Sequence, residues 1–142
     1  MAGQLSMNGR DQMLGAFFMP DQISPPDSFW VALCLSIPTP GDTGDDLLEP
    51  DDDAYTRVEY PTGADYWQTT NRGGITNTQE VFFPSPTQDW GVILGFALCD
   101  DSTGGQTYYV GDLLVPERII FDPDNTDVAW GVGAGSIVVK QT

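Results

Sequence analysis

Carboxylates are the main chemical resource of this chain. Its 142 residues hold 21 Asp and Glu against five Lys and Arg, with no His. Two acidic groups have the residue types to hold a hard cation. The first is Asp42, Asp45, Asp46, Glu49, Asp51, Asp52 and Asp53; the second is Asp122, Asp124, Asn125 and Asp127. Ca²⁺ takes roughly six to eight oxygen ligands, often from alternating Asp and Asn beside a bidentate acid. The second group reads Asp-x-Asp-Asn-x-Asp but lacks the Gly and Glu that complete an EF-hand loop. A solvated turn is the plainer reading of it, so no cofactor is expected. Ca²⁺ at this turn is the alternative.

Catalytic arrangements find little support. Without His there is no imidazole base and no Ser-His-Asp or Cys-His set. No Gly-x-x-x-x-Gly-Lys loop and no paired-Cys zinc spacing occurs. A glycosidase acid needs a raised pKa in a partly apolar cleft, whereas these acids cluster in polar, breaker-rich segments. The chain is therefore not expected to be an enzyme. Cys34 and Cys99 each lie in an apolar run and read as buried free thiols; a disulfide would need their strands to face each other. Trp30, Trp67, Trp90 and Trp130 could line a carbohydrate platform, but in a small β-domain they read first as core or interface.

The charge balance restricts partners. A net charge of −16 leaves no basic footprint for nucleic acid and would be repelled by an anionic membrane surface. No window of about 18 apolar residues exists, so no transmembrane helix is expected. Met13–Met19 is a short apolar run without a basic start, so no secretory signal is expected either.

The elements that would position these residues are mostly strands. The length fits one domain, and 16 Gly with 11 Pro favour many turns. Residues 1–6 read as disordered. Met13, Leu14, Phe17 and Phe18 give one apolar face to a short helix over Asn8–Met19, with Asn8 as N-cap and Asp11 in the first turn. Such a helix must pack on its own sheet or on a neighbouring subunit. Phe29–Ile37 alternates large Val31, Leu33, Leu35 and Ile37 with small Ala32, Cys34 and Ser36. Trp90–Cys99 repeats this texture, with Val92, Leu94, Phe96 and Leu98 on its large face. The small faces would admit another layer, such as the helix. Pro38–Asp53 reads as a surface loop. Further strands are expected over Tyr55–Tyr60, Ile75–Phe83, Gln106–Leu114, Glu117–Phe121 and Ile137–Val139, and an edge strand or loop over Asp65–Thr70, with a hairpin turn at Asp100–Gly105 and another turn at Asp122–Asp127. The reading is all-β: a single antiparallel β-sandwich of about seven or eight strands with a short N-terminal helix. An arm and helix (1–28) precede the β-sandwich domain (29–142).

The order of certain residues carries a likeness. Val31-Ala32-Leu33 is followed by Glu49-Pro50, Tyr55-Thr56-Arg57, Asn77, Phe83-Pro84, Thr87, Asp89-Trp90-Gly91, Asp100, Gly104-Gly105 and Gly111-x-Leu113. This set resembles a family of small virion proteins of tailed bacteriophages, often labelled tail fibre protein, with some similar proteins closer to head decoration proteins. The likeness spans roughly residues 29–140, and its most specific part is F-P-x-x-T-x-D-W-G followed by D-x-x-T-G-G. The acidic loop before Tyr55 is longer and more charged than the family pattern, and the N-terminal segment matches only loosely.

The resemblance implies a structural role with no catalytic residues to carry over. The expectation is a capsid decoration or cement protein on the outside of the head shell. A tail or baseplate fibre-attachment protein is the alternative, and a carbohydrate-binding module a further one. The implied partners are the major capsid protein or tail proteins, with many copies or a homo-oligomer in the particle. The implied location is the virion, assembled in the host bacterial cytoplasm. Met13, Leu14, Phe17 and Phe18 are the candidate partner-binding residues.

Overall fold

The computed structural model describes residues 2–70, 73–124, 131–133 and 136–139. In chain order these form β1 (Ala2–Leu5), α1 (Met7–Phe18), β2 (Ser28–Cys34), a 3₁₀ turn (Gly44–Asp46), β3 (Val58–Pro61), β4 (Trp67–Thr69), β5 (Ile75–Asn77), β6 (Val81–Phe82), β7 (Gly91–Cys99), β8 (Thr107–Ile119), β9 (Gly131–Val132) and β10 (Val138–Val139). Five strands make one sheet in the order β1-β8-β7-β2-β3; β10-β5-β4 and β6-β9 make two smaller ones. All pairings are antiparallel. The described residues are thus mostly β with one α-helix.

The central hairpin, β7–β8, follows its sequence signal. Asp100–Gln106 closes it, with Gly104 and Gly105 at φ of 56° and 73°, a region where a Cβ is strained. Asp100 secures the turn twice: its N–H donates to the Gln106 carbonyl and its carboxylate accepts the Gln106 N–H. The two strands expected over Gln106–Leu114 and Glu117–Phe121 are one, β8. Its register against β7 slips between Ile93 and Gly95, where Asp112 and Glu117 become successive partners. Pro116 is tolerated within that irregular stretch, where the regular ladder is broken.

The same irregularity corrects the reading of β7. Val92 is exposed and Ile93 is fully buried, the reverse of the expected alternation. A bulge moves every residue beyond it to the other face. From Gly95 onward the expected pattern holds. Val31, Leu33, Phe96, Leu98 and Tyr109 join Tyr60, Val81, Phe83, Trp90 and Ile137 in the main core.

The small face is real, but the helix does not cover it. Ala32, Cys34, Ala97, Cys99 and Val110 form a second buried cluster, capped by Trp30 and by Leu47 from the acidic loop. Loop and strand are tied where the Leu35 N–H donates to the Leu48 carbonyl. The acidic segment, expected as a plain surface loop, is therefore a structural layer. Both cysteines are buried and free. The β2–β7 register sets Cys34 opposite Gly95 and Cys99 opposite Trp30. That is four residues out of step, about 13 Å at strand rise, too far for a disulfide.

Three further boundaries differ. Residues 2–5, expected to be disordered, pair with β8 from Asp112 to Tyr109. Four residues carry little pattern of their own, and the exposed β8 edge supplies the missing hydrogen-bond partners. Ile75–Phe83 splits into β5 and β6 around Thr78–Glu80, and β2 stops at Cys34, leaving Ile37 exposed. Ten strands occur among the described residues rather than seven or eight, because several are pairs of only two or three residues.

Candidate functional site

Two arrangements concentrate side-chain chemistry: a polar network beneath the acidic loop and the outward face of α1. The network begins at Arg57. Its guanidinium makes five hydrogen bonds: Nε and Nη2 to the Glu49 carboxylate at 2.9 and 3.0 Å, Nη1 to the carbonyls of Asp101 and Gly104, and Nη2 to that of Gly44. Tyr55 and Arg57 sit two residues apart on an extended segment, so both side chains reach the same side. Tyr55 donates its hydroxyl to Glu49 and accepts the Leu33 N–H, while its ring stacks on Phe83 and meets Trp90 edge-on. Burial, with Glu49 beside it, pushes the Tyr55 hydroxyl well above the usual phenol range. One planar, five-donor cation therefore fastens the acidic loop to the hairpin turn. Gly44 permits the close approach, because a Cβ there would collide with the Gly104 carbonyl.

A second fastening is built on Asp52. Asp52 is 8% exposed, and its carboxylate accepts hydrogen bonds from the N–H groups of Ala54, Thr87 and Gln88, the Thr87 hydroxyl and the Trp90 indole. Partial burial alone would raise its pKa; the hydrogen bonds from Thr87, Ala54 and Trp90 outweigh that and hold it well below the usual carboxylate range. Much of the F-P-x-x-T-x-D-W-G segment is thereby explained. Thr87 and Trp90 grip Asp52, Asp89 accepts the Phe121 N–H, and Phe83 stacks in the core. Asn77 works likewise, donating to the Gln79 and Gly133 carbonyls and accepting the Ile137 N–H.

The first acidic group does not converge on a cation. Asp42 and Asp46 accept the N–H groups of Thr39 and Thr43, Glu49 pairs with Arg57, and Asp52 holds the Thr87–Trp90 turn. No cluster of three metal-ligating side chains occurs among the described residues. In the second group, Asp122 accepts the Asp124 N–H at 3.0 Å; Asn125 and Asp127 lie outside the described residues. Trp90 is core, Trp67 donates to the Pro61 carbonyl and packs on Phe29 and Tyr60, and Trp30 caps the small-face cluster. These three build no shared platform, and Trp130 lies outside the described residues.

The helix carries the other arrangement. Its N-cap is Ser6, not Asn8, and Asp11 falls outside the first turn. Ser6 accepts the Gly9 N–H and donates to the Thr107 carbonyl, and Asn8 donates to that carbonyl too. Gly9 rests directly on the Tyr108 backbone, and Gly15 on Ile23. The helix thus packs through its small residues, which leaves its large ones outside. Phe17 and Phe18 are 80% and 72% exposed, with Met13 and Leu14 exposed beside them. The sequence reading does not single out Ser6, and it names Asp52 only as a candidate cation ligand and Arg57 only within the family likeness. Ser is a preferred N-cap and Asp52-x-Ala54 an Asx-turn pattern; both signals were present, but only long-range partners raise them above the many similar residues.

A small, mostly β chain, fastened internally by its polar groups and presenting an apolar helix outward, defines a structural subunit. The chain belongs to the family described as podophage GP4 fiber I protein gp80, whose model matches residues 4–139. It is thus a phage fibre-type structural protein of the virion. No curated protein matches the chain.

Proposed function

We propose that the chain is a tail-fibre subunit that works by assembly, with Met13, Leu14, Phe17 and Phe18 as its assembly surface. The observation that carries this reading is the exposed apolar row on a helix whose N-terminus is pinned by Ser6 and Gly9. A pinned surface loses little conformational freedom when it binds. The fibre description of the family favours the tail. Capsid decoration is the second reading; small size and an exposed helix suit a shell-bound subunit equally. The partners are then other virion proteins, tail or major capsid, with the chain present in many copies.

In this reading the chain is not an enzyme and needs no cofactor, and its acidic turns are solvated. A core shared by the five-stranded sheet and residues of the smaller sheets supports reading the fold as an antiparallel β-sandwich. Immunogold labelling of intact particles tests the location. Label at the tail supports the first reading, label over the head the second, and unlabelled particles would sink both.

A further inference from the structure

We propose that the hollow between the five-stranded and the three-stranded sheet is a binding site for a neutral aromatic molecule of two or three rings. No residue of α1 lines it, so the site is separate from the assembly surface.

The walls follow from strand register. Leu5 lies opposite Tyr109, and Tyr109 opposite Leu98, which makes one cross-strand row on the five-stranded sheet. Thr69 lies opposite Ile75, and Ile75 opposite Val139, which makes a second row on the three-stranded sheet. Residues directly opposite in a ladder share a face. Both rows line one hollow of about 400 Å³.

Two struts fix these rows. At one, the Tyr109 hydroxyl on β8 donates to the Val138 carbonyl on β10 at 3.1 Å. At the other, the Trp67 indole N–H on β4 donates to the Pro61 carbonyl at the end of β3 at 2.9 Å, and its ring meets Phe29 of β2 edge-on. Packed sheets normally fill the space between them with side chains, and voids larger than a water are few. A propped hollow of this size falls instead in the range of ligand pockets, roughly 300–1,000 Å³. Walls fixed before binding lose little freedom when the site fills.

The lining selects the ligand. None of the lining residues is charged, in a chain with 21 acids. An anion would approach against a net charge of −16 and meet no cation. A cation would be desolvated without a counter-charge. Phe29, Trp67 and Tyr108 supply a ring-rich wall, with Phe29 edge-on to both of the others. Such rings favour an aromatic guest through stacked and edge contacts. A cavity of ~150 Å³ holds one benzene ring, so about 400 Å³ suits two or three.

Fluorescence titration of the full chain with N-phenylnaphthylamine, a neutral probe that brightens in apolar surroundings, tests this. One probe should bind per chain with a micromolar dissociation constant. Anilinonaphthalenesulfonate carries the same rings and a sulfonate, and should bind about tenfold or more weakly, equivalent to ~1.4 kcal/mol. Ile75 and Thr69 are exposed positions at the hollow, so Ile75→Trp or Thr69→Phe should fill it without unfolding the chain. Each should weaken the neutral probe by about tenfold or more, with a circular dichroism melt that is unchanged or higher. In amide NMR spectra of the wild type, the probe should shift residues 62–69, 75 and 98 and leave residues 7–18 in place. No binding, equal or tighter binding of the sulfonate, undiminished binding in either folded variant, or shifts confined to residues 7–18 would overturn the inference. The wild-type shifts decide it even where both variants fail to fold.

Discussion

Trp90 donates its indole N–H to the Asp52 carboxylate at 2.8 Å across 38 residues of chain. The bond joins the end of the acidic loop to the start of β7. It makes one member of an acidic run a core fastening.

Asp52→Asn should lower stability by about 2–3 kcal/mol near neutral pH, the cost of weakening charge-assisted bonds and misplacing one donor. The pH dependence follows from the depressed pKa of Asp52. Its contribution is full above the unfolded value, about 4, and is lost as pH falls through the lower folded value. Urea midpoints of wild type and variant should therefore converge in acid. A gap that stays constant from pH 7 to pH 2 would refute the assignment.

Arg57 should tolerate no replacement. Lys keeps the charge but cannot reach Glu49 and three carbonyls at once. Arg57→Lys should cost about 3 kcal/mol or more, and Glu49→Gln should also destabilise, by leaving a buried cation without its counter-charge. Chemical denaturation of both variants checks this. A loss below about 1 kcal/mol for Arg57→Lys would place the pair among weak surface bridges.

The helix pin should be separable from the fold. Ser6→Ala removes the cap and the bond to Thr107, at about 1–2 kcal/mol. Gly9→Ala drives a Cβ into the Tyr108 carbonyl and should lift α1 from β8. Hydrogen exchange should show faster exchange in residues 2–18 and unchanged protection in β2 and β7. Uniform loss of protection would show that arm and sheet unfold as one unit.

The two thiols should be inert in the native chain. Burial pushes Cys99 up to about 12, and Cys34 is raised further by burial and by Glu49. Because these pKa values are raised, the stabilisation is intact below the unfolded thiol value, about 8.5, and fades as pH climbs toward the folded values. Iodoacetamide at about pH 8 should label neither cysteine until denaturant is added. Rapid native labelling would contradict the buried small face.

Much of the sheet was legible in the sequence. Val31, Leu33, Phe96 and Leu98 follow period two, and the turn formers at Asp100–Gly105 mark the hairpin. The exposed apolar side of α1 was legible from helical periodicity: Met13, Leu14, Phe17 and Phe18 share one helical side and are all exposed. What stayed hidden depends on non-local partners. Nothing in Ala2–Leu5 reveals a strand until β8 offers an edge. Asp51, Asp52 and Asp53 look alike in sequence; only the middle one is buried, because Thr87 and Trp90 arrive from elsewhere. The bulge that exchanges Val92 for Ile93 is set by pairing with β8, which alternation alone does not encode.

The proposed role makes this fibre-type virion protein a subunit that assembles through α1. A cryo-EM map of the intact particle tests it most directly. Density for this fold is expected at the tail, repeated in several copies, with Phe17 and Phe18 buried against a neighbouring chain. Density for the fold with Phe17 and Phe18 facing solvent in every copy, or no such density in the particle, would contradict it.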